Sequence, residues 1–210
     1  MYRDWSRYSY NNRKDLKLEN FKKTGIKFDA KKLRQATNML FTKVSWRHHV
    51  VKGLSLTQIP GDPTSAYGEK LRGVFWTKPD FTGQEVQREN FIDESQYTEF
   101  VEKYKGSYFE EVYDALSEKY QLGRFRLLLL EPRTSLSWHR DPEPRLHIPI
   151  ITNPGAHLVI DNRLKHLPAD GNVWFTDTRK YHTVFNGGEE NRIHLVATFL
   201  KNKETDLVEI

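Results

Sequence analysis

Eight histidines are spread over the 210 residues, and two of them stand where metal chemistry is possible. His139 and Asp141 are separated by one residue in Trp138-His139-Arg140-Asp141, and His182 follows on a later β-prone run, Tyr181-His182-Thr183. Two imidazoles and one carboxylate make a facial set for ferrous iron. It leaves three positions open, two for a chelating keto acid and one for O2. Neutral imidazole nitrogen and a hard carboxylate suit Fe(II), and the chain has no cysteine to offer a softer site. An H-x-D pair by itself is a weak signal, because a local hydrogen-bonded turn produces it as readily. The surrounding residues decide.

Asn186-Gly187-Gly188-Glu189-Glu190 reads as a hairpin turn between YHTVF and NRIHLVATF. Centred on Gly188, it predicts that His182 faces His194 and Val184 faces Arg192, all on one side of a sheet. Arg192 then lies roughly 7 Å along the strand from His182, about the reach of a five-carbon dicarboxylate whose keto-acid end sits on the metal. A guanidinium is the planar, permanently charged fork that takes a distal carboxylate at two points.

These residues need a frame. From Arg124 onward, RFRLLLLEP, RLHIPIIT, AHLVID, NVWFTD, YHTVFN and NRIHLVATFL are short β-prone runs separated by Pro, Gly, Asn and Asp. Six such runs predict an antiparallel sandwich or barrel. Upstream, Asp29 to Phe41 reads as a short helix with Asp29 as N-cap. Val44 to Ile59 reads as extended, and Pro60 to Gly68 as a loop. Ser95 is placed to cap a helix ending at Gly106. Ser107 and Glu110 open another, with Phe109, Val112, Tyr113, Leu116 and Tyr120 at helical spacing and Gly123 closing it. Helices first and strands afterwards make the class α+β, mainly β. The organisation expected is a basic segment with a short helix over 1–43 and a single domain over 44–210, with helices near 95–122 and strands near 124–200.

Composition sets the bounds. Hydrophobic residues at 37% and aromatics at 13% fit a globular chain, and the absence of cysteine excludes disulfides, thiolate metal sites and cysteine nucleophiles. No apolar run approaches the roughly 20 residues of a membrane helix, so a soluble cytoplasmic protein without membrane contact is expected. The net charge of +5 is uneven: residues 1–52 carry 14 Lys/Arg against 4 Asp/Glu. That segment could meet an acidic polypeptide or nucleic acid, although no RNA-binding signature accompanies it and a solvated arm explains it equally. His48-His49 reads as solvent-facing, His157 and His166 have no partner spacing, and Asp177 suits a turn. Trp138 and Trp174 read as packing residues. Ser135 and Ser137 form no nucleophile elbow.

The ordered set is H-x-D (His139, Asp141), an R-x-H-h-P block (Arg145-Leu146-His147-Ile148-Pro149), a G-x3-F strand (Gly171 to Phe175), H-x-V-x-N (His182 to Asn186) and Arg192 ten residues after the last histidine. Together these resemble the aspartyl/asparaginyl β-hydroxylase family of Fe(II)/2-oxoglutarate-dependent oxygenases, over about a third of the chain. The resemblance implies a double-stranded β-helix of the jelly-roll or cupin kind, with iron at its mouth and 2-oxoglutarate inside. It assigns Arg192, Arg145 and His147 to the cosubstrate. Animal members lack the carboxylate that Asp141 supplies, and this chain has Leu127 to Leu130 where a small hydroxyl residue is expected. Family members act on Asp or Asn side chains in polypeptides, and related small enzymes hydroxylate proline. Three readings follow: a hydroxylase of a protein or peptide residue, a hydroxylase of a free amino acid or small metabolite, and a non-catalytic jelly roll with a structural metal. The substrate face is expected from Val44 to Gly83 and the strand-linking loops.

Overall fold

The computed structural model describes residues 19–41, 51–67 and 75–203. The residues that position chemistry come from two antiparallel sheets. Their strands and helices, in chain order, are β1 (Phe21–Lys27), α1 (Ala30–Phe41), β2 (Val51–Ser55), α2 (Tyr108–Lys119) and β3 (Tyr120–Leu130). They continue with β4 (Thr134–Ser135), β5 (Arg145–Ile151), β6 (Ala156–Ile160), β7 (Arg163–Lys165), β8 (Asn172–Thr176), β9 (His182–Asn186) and β10 (Arg192–Asn202).

The larger, six-stranded sheet runs β1-β8-β5-β10-β3-β2, and the smaller, four-stranded one β7-β6-β9-β4. Consecutive strands alternate between the sheets from β3 onward, with β6 and β7 paired as a hairpin at the edge of the smaller one. This is the double-stranded β-helix that the resemblance implied and one form of the antiparallel barrel expected from the β-prone runs, five of which match strands to within two residues at either end.

Each strand of the larger sheet serves two environments, because successive side chains point to opposite faces. Outward go Phe125, Leu127 and Leu129 of β3, Leu146, Ile148 and Ile150 of β5, and Ile193, Leu195 and Ala197 of β10. They form one apolar cluster with Leu33 of α1 and Phe109, Val112 and Leu116 of α2. Each fully buried side chain there is worth about 1.5–3 kcal/mol, so this layer carries much of the stability. Inward go the polar Arg124, Arg126, Arg145, His147, Arg192, His194 and Thr198, with Leu128, Pro149 and Val196 among them. A second apolar cluster of Leu130, Leu158, Ile160, Leu167, Trp174 and Val184 fills part of the space between the sheets.

Local chemistry sets the helix starts. Asp29 Oδ1 accepts from the backbone N–H of Lys31 (2.8 Å) and Lys32 (3.0 Å), the N-cap expected of it. α2 begins after Ser107 as anticipated, but through other bonds. Glu110 Oε2 accepts from Gly106 N–H (2.6 Å), and Ser107 Oγ donates to the Tyr104 carbonyl (2.6 Å).

Two helix expectations are corrected. No α-helix runs from Ser95 to Gly106. Asp93, not Ser95, caps a single 3-10 turn, Glu94–Gln96, and Glu99–Phe100 then pairs with Thr57–Gln58 as a ribbon. The β-pairing of Phe100 with Thr57 interrupts any helical run. Gly123 does not end α2 either: the chain passes from Lys119 directly into β3, which contains Gly123.

The hairpin expected at Asn186–Glu190 is also corrected. β9 pairs with β6 and β4, whereas β10 pairs with β3 and β5, so the turn crosses from one sheet to the other. His194 lies opposite Leu128 and Pro149, not His182. Neither Gly187 nor Gly188 has a positive φ, the backbone that tight two-residue hairpins need. Asn186 holds the crossing instead: its Nδ2 donates to the carbonyls of Leu130 (3.1 Å) and Glu190 (2.7 Å).

β1 was not anticipated. Its Lys22, Lys23 and Lys27 are exposed along an edge strand, where lysine blunts further pairing. Trp138 is not a packing residue, being 56% exposed, while Trp174 is buried as expected. His48-His49 and much of the basic segment lie in residues 1–18 and 42–50, outside the described residues. No helix among the described residues is long and apolar enough to cross a membrane.

Candidate metal centre

His139, Asp141 and His182 converge at one end of the barrel. A ligand atom from each lies within 4.8 Å of the others, and His182 Nε2 is 3.7 Å from Asp141 Oδ2. Backbone pairing brings these distant stretches together. The segment after β4 runs beside β9, and His139 and His182 exchange both N–H···O bonds (3.0 and 2.9 Å). Asp141 N–H then bonds the Thr178 carbonyl (2.9 Å), which brings its side chain round to the same point.

The ring tautomers follow from the partners. A carbonyl only accepts, so His139 Nδ1–H donates to Ser137 O (2.7 Å) and His182 Nδ1–H donates to Lys180 O (3.0 Å). Both Nε2 lone pairs are thereby left for a cation, the arrangement that metal-bound histidines use. Burial pushes His139 down to about 4, so its ring is neutral at pH 7. Burial opposes the charge on Asp141, but the guanidinium of Arg145 overrides this and holds the carboxyl well below the usual range. Two imidazoles that each present Nε2, together with one ionised carboxylate and no thiolate nearby, form a donor set that fits ferrous iron. Phe75 stacks on the His139 ring at 4.3 Å between centroids, bringing the stretch expected to form the substrate face to the edge of the site.

Behind Asp141 lies a charge network that the sequence did not disclose. Arg145 Nε donates to Asp141 Oδ2 (3.0 Å), and its Nη1 reaches Glu94 Oε2 (2.5 Å) and Thr198 Oγ1. Glu94 also accepts from Arg126 (2.6 Å), Thr198 (2.9 Å) and, more distantly, Arg124 (3.5 Å). Burial would raise Glu94, yet Arg126, Arg145 and Arg124 together hold it at about 2. Removing one member of such a network strands the others and costs roughly 3–5 kcal/mol. Glu94 drew no notice in the sequence because it lies in a polar stretch. The usable signal was Arg124, Arg126 and Arg145, on inward-facing strand positions that call for an acid.

Arg192 and His147 are placed deeper. Arg192 is 4% exposed, and burial lowers its guanidinium to about 9. Among the described residues no carboxylate pairs with it. Its Nη2 donates to His194 Nδ1 (2.9 Å), and His147 Nδ1 lies 3.3 Å from that same atom. Arginine only donates, so the proton of neutral His194 sits on Nε2, which is buried without a partner among the described residues. Burial and Arg192 keep His147 and His194 well below the ordinary imidazole range. Arg145 therefore contacts Asp141, while Arg192 and His147 meet through His194. His157 and His166 pair elsewhere, with ring centroids 5.8 Å apart. Asp177 is taken by Arg179 (2.7 Å).

These histidines make stability pH-dependent. Unfolded imidazole titrates near 6.5 and buried His139 near 4, so between those values the unfolded chain binds the extra proton. Stability therefore rises with pH through that window and is fully present above it. His139 alone should make the metal-free protein about 2 kcal/mol less stable at pH 5 than at pH 7, and His147 and His194 add in the same direction. Urea unfolding at both pH values measures this; equal midpoints and slopes would contradict it.

A sequence model described as Aspartyl/Asparaginyl beta-hydroxylase matches residues 61–202. No curated protein matches the sequence. Similar solved structures include the viral collagen prolyl hydroxylase of Paramecium Bursaria Chlorella virus-1, at 10% identity and TM-score 0.46, covering 86% of this chain and 96% of that one. An oxidoreductase of the 2OG-Fe(II) oxygenase family from Burkholderia pseudomallei has 13% identity and TM-score 0.44, covering 82% and 79%. AviO1 from Streptomyces viridochromogenes Tue57 has 15% identity and TM-score 0.43, covering 87% and 90%.

Proposed function

The chain belongs to the aspartyl/asparaginyl β-hydroxylase family of oxygenases, and we propose that it is an Fe(II)/2-oxoglutarate-dependent dioxygenase that hydroxylates an Asp, Asn or Pro residue of a protein or peptide. The observation that carries this is the convergence of His139, Asp141 and His182 within 4.8 Å, with both imidazole Nε2 atoms left free by the carbonyls that hold Nδ1.

In this reading His139, Asp141 and His182 hold the iron. Bound iron, with 2-oxoglutarate and O2, supplies the oxidation that turns a C–H into C–OH, with succinate and CO2 as co-products. The protein's part is geometry and exclusion. Ser137 and Lys180 carbonyls fix the two imidazoles with Nε2 deprotonated, and Arg145 fixes the carboxylate. Arg192 takes the far carboxylate of 2-oxoglutarate: it is a buried cation without an anion among the described residues, on the inner face of β10, and a dicarboxylate would supply the missing charge. His147 lies beside that position, and His194 steadies the guanidinium. Arg145, already engaged by Asp141 and Glu94, positions the cosubstrate through the ligand it holds. Phe75 covers one ring face and limits the approach of water to the metal side.

The test is succinate release from 2-oxoglutarate under Fe(II), with and without peptides carrying Asp, Asn or Pro. Stimulation by one peptide class with matching hydroxylated product is expected. Stimulation by free proline and not by peptides would move the reading to a small-molecule hydroxylase. No turnover with any substrate, together with no Fe(II) binding, would end it.

A further inference from the structure

The buried carboxylate of Glu94 belongs to neither the metal set nor the cosubstrate contacts, yet it is the hub that Arg124, Arg126, Arg145 and Thr198 share. We infer that Glu94 is a positioning residue for the metal: it fixes Arg145, Arg145 fixes Asp141, and Asp141 is thereby presented to the ion. The inference rests on the metal-binding reading of His139, Asp141 and His182 given above.

The geometry supports a chain of constraint. Arg145 uses Nε for Asp141 Oδ2 (3.0 Å) and Nη1 for Glu94 Oε2 (2.5 Å), so one planar fork ties the two carboxylates together. A guanidinium cannot rotate to suit one without leaving the other. Glu94 Oε2 also accepts from Thr198 Oγ1 (2.9 Å), and Oε1 from Arg126 (2.6 Å), so both of its oxygens are engaged and its own position is set. The oxygen that Arg145 holds, Asp141 Oδ2, is the one that lies 3.7 Å from His182 Nε2, so the fork sets the carboxylate where it faces the imidazoles. Such supporting bonds to a ligand typically change metal affinity by about 10- to 100-fold.

A second observation concerns how Glu94 reaches that place. It comes from the 3-10 turn Glu94–Gln96, outside both sheets, and its backbone carbonyl presses against Gly123 of β3. A Cβ at position 123 would stand 2.4 Å from the Glu94 carbonyl oxygen and 3.0 Å from the Ser95 Cα. Both are backbone atoms, so the turn would have to move away. Gly123 is therefore what lets the turn approach closely enough for the carboxylate to enter the barrel.

The experiment is Co(II) binding by the purified full-length chain, measured by calorimetry and by the visible spectrum of the bound ion. Glu94→Asp keeps the charge but shortens its reach, and Gly123→Ala displaces the turn while leaving the carboxylate intact. Each should weaken Co(II) binding by about 10- to 100-fold and shift the spectrum. In an Asp141→Asn background neither should weaken it further, because the constraint acts through Asp141. Equal affinity of wild type and both variants would overturn the inference. So would a loss that persists undiminished in the Asp141→Asn background, since that indicates general disturbance of the barrel. If the wild type itself binds no Co(II), the metal reading fails first and this inference falls with it.

Discussion

Replacing His182 with alanine should abolish metal-dependent succinate formation, a fall on the order of a thousandfold or more, because several kcal/mol of metal-supplied stabilisation disappear together. The position leaves little room for rescue. His182 is buried on β9, its Nδ1 is occupied by the Lys180 carbonyl, and its Nε2 lies 3.7 Å from Asp141 Oδ2. The backbone bonds that align His139 with His182 involve main-chain atoms only and survive the change. The variant should therefore fold, with a far-ultraviolet spectrum like that of the wild type, while Fe(II) affinity collapses. Full turnover in His182→Ala would be incompatible with an iron centre at this end of the barrel.

Arg192→Leu should act on a different quantity. Truncating one partner of a buried, hydrogen-bonded charge pair costs roughly 2–5 kcal/mol, which corresponds to about a 30- to several-thousandfold weaker grip on 2-oxoglutarate. The metal site should be untouched, so Fe(II) binding stays and the loss appears in the cosubstrate dissociation constant. Arg192→Lys should fall between, since lysine keeps the charge and gives up the two-point fork. The free variant has a further property: leucine relieves a buried cation whose one hydrogen-bond partner among the described residues is His194, so metal-free Arg192→Leu should be at least as stable as the wild type. Calorimetry with 2-oxoglutarate against the Mn(II) protein measures the first effect and urea unfolding the second. Unchanged affinity would remove Arg192 from the cosubstrate site.

The sequence was most informative where alternation and chemistry coincide. β5 reads Arg-Leu-His-Ile-Pro, with its polar letters facing inward and its aliphatic letters facing the helices. That pattern marked the strand, while Arg145 and His147 were singled out as site residues by the family resemblance. The His139-Asp141 pair and His182 were legible because their types and order restrict the chemistry, even though 43 positions separate the first histidine from the last.

What failed was pairing. A glycine pair between two β-prone runs suggests a hairpin by local turn chemistry. In a double-stranded β-helix the same residues serve a crossing between sheets, and the choice is made by strands β3, β5 and β6 far away in the chain. Placing Arg192 inside the barrel therefore survived for another reason, its alternation with Ile193, not its supposed opposition to Val184. Ser95 misled in a related way. Its hydroxyl suits a helix cap, but Asp93 takes the capping role and β-pairing at Phe100 ends the turn. Glu94 was invisible because its partners are contributed by β3, β5 and β10, and no local spacing relates them.

The two-sided strands of the larger sheet impose a rule on how this protein can change. Along Arg192 to Thr198, neighbouring letters answer to different pressures: Ile193, Leu195 and Ala197 to the helix layer, Arg192, His194 and Thr198 to the lumen. A residue-by-residue scan would report melting temperature and ligand affinity by turns. A single inserted residue within β10 would exchange the two sets, sending aliphatic groups into the lumen and charges beneath the helices. Drift in length is thereby confined to the connections between strands, and the barrel can alter what it accepts at its rim while its wall keeps the same count.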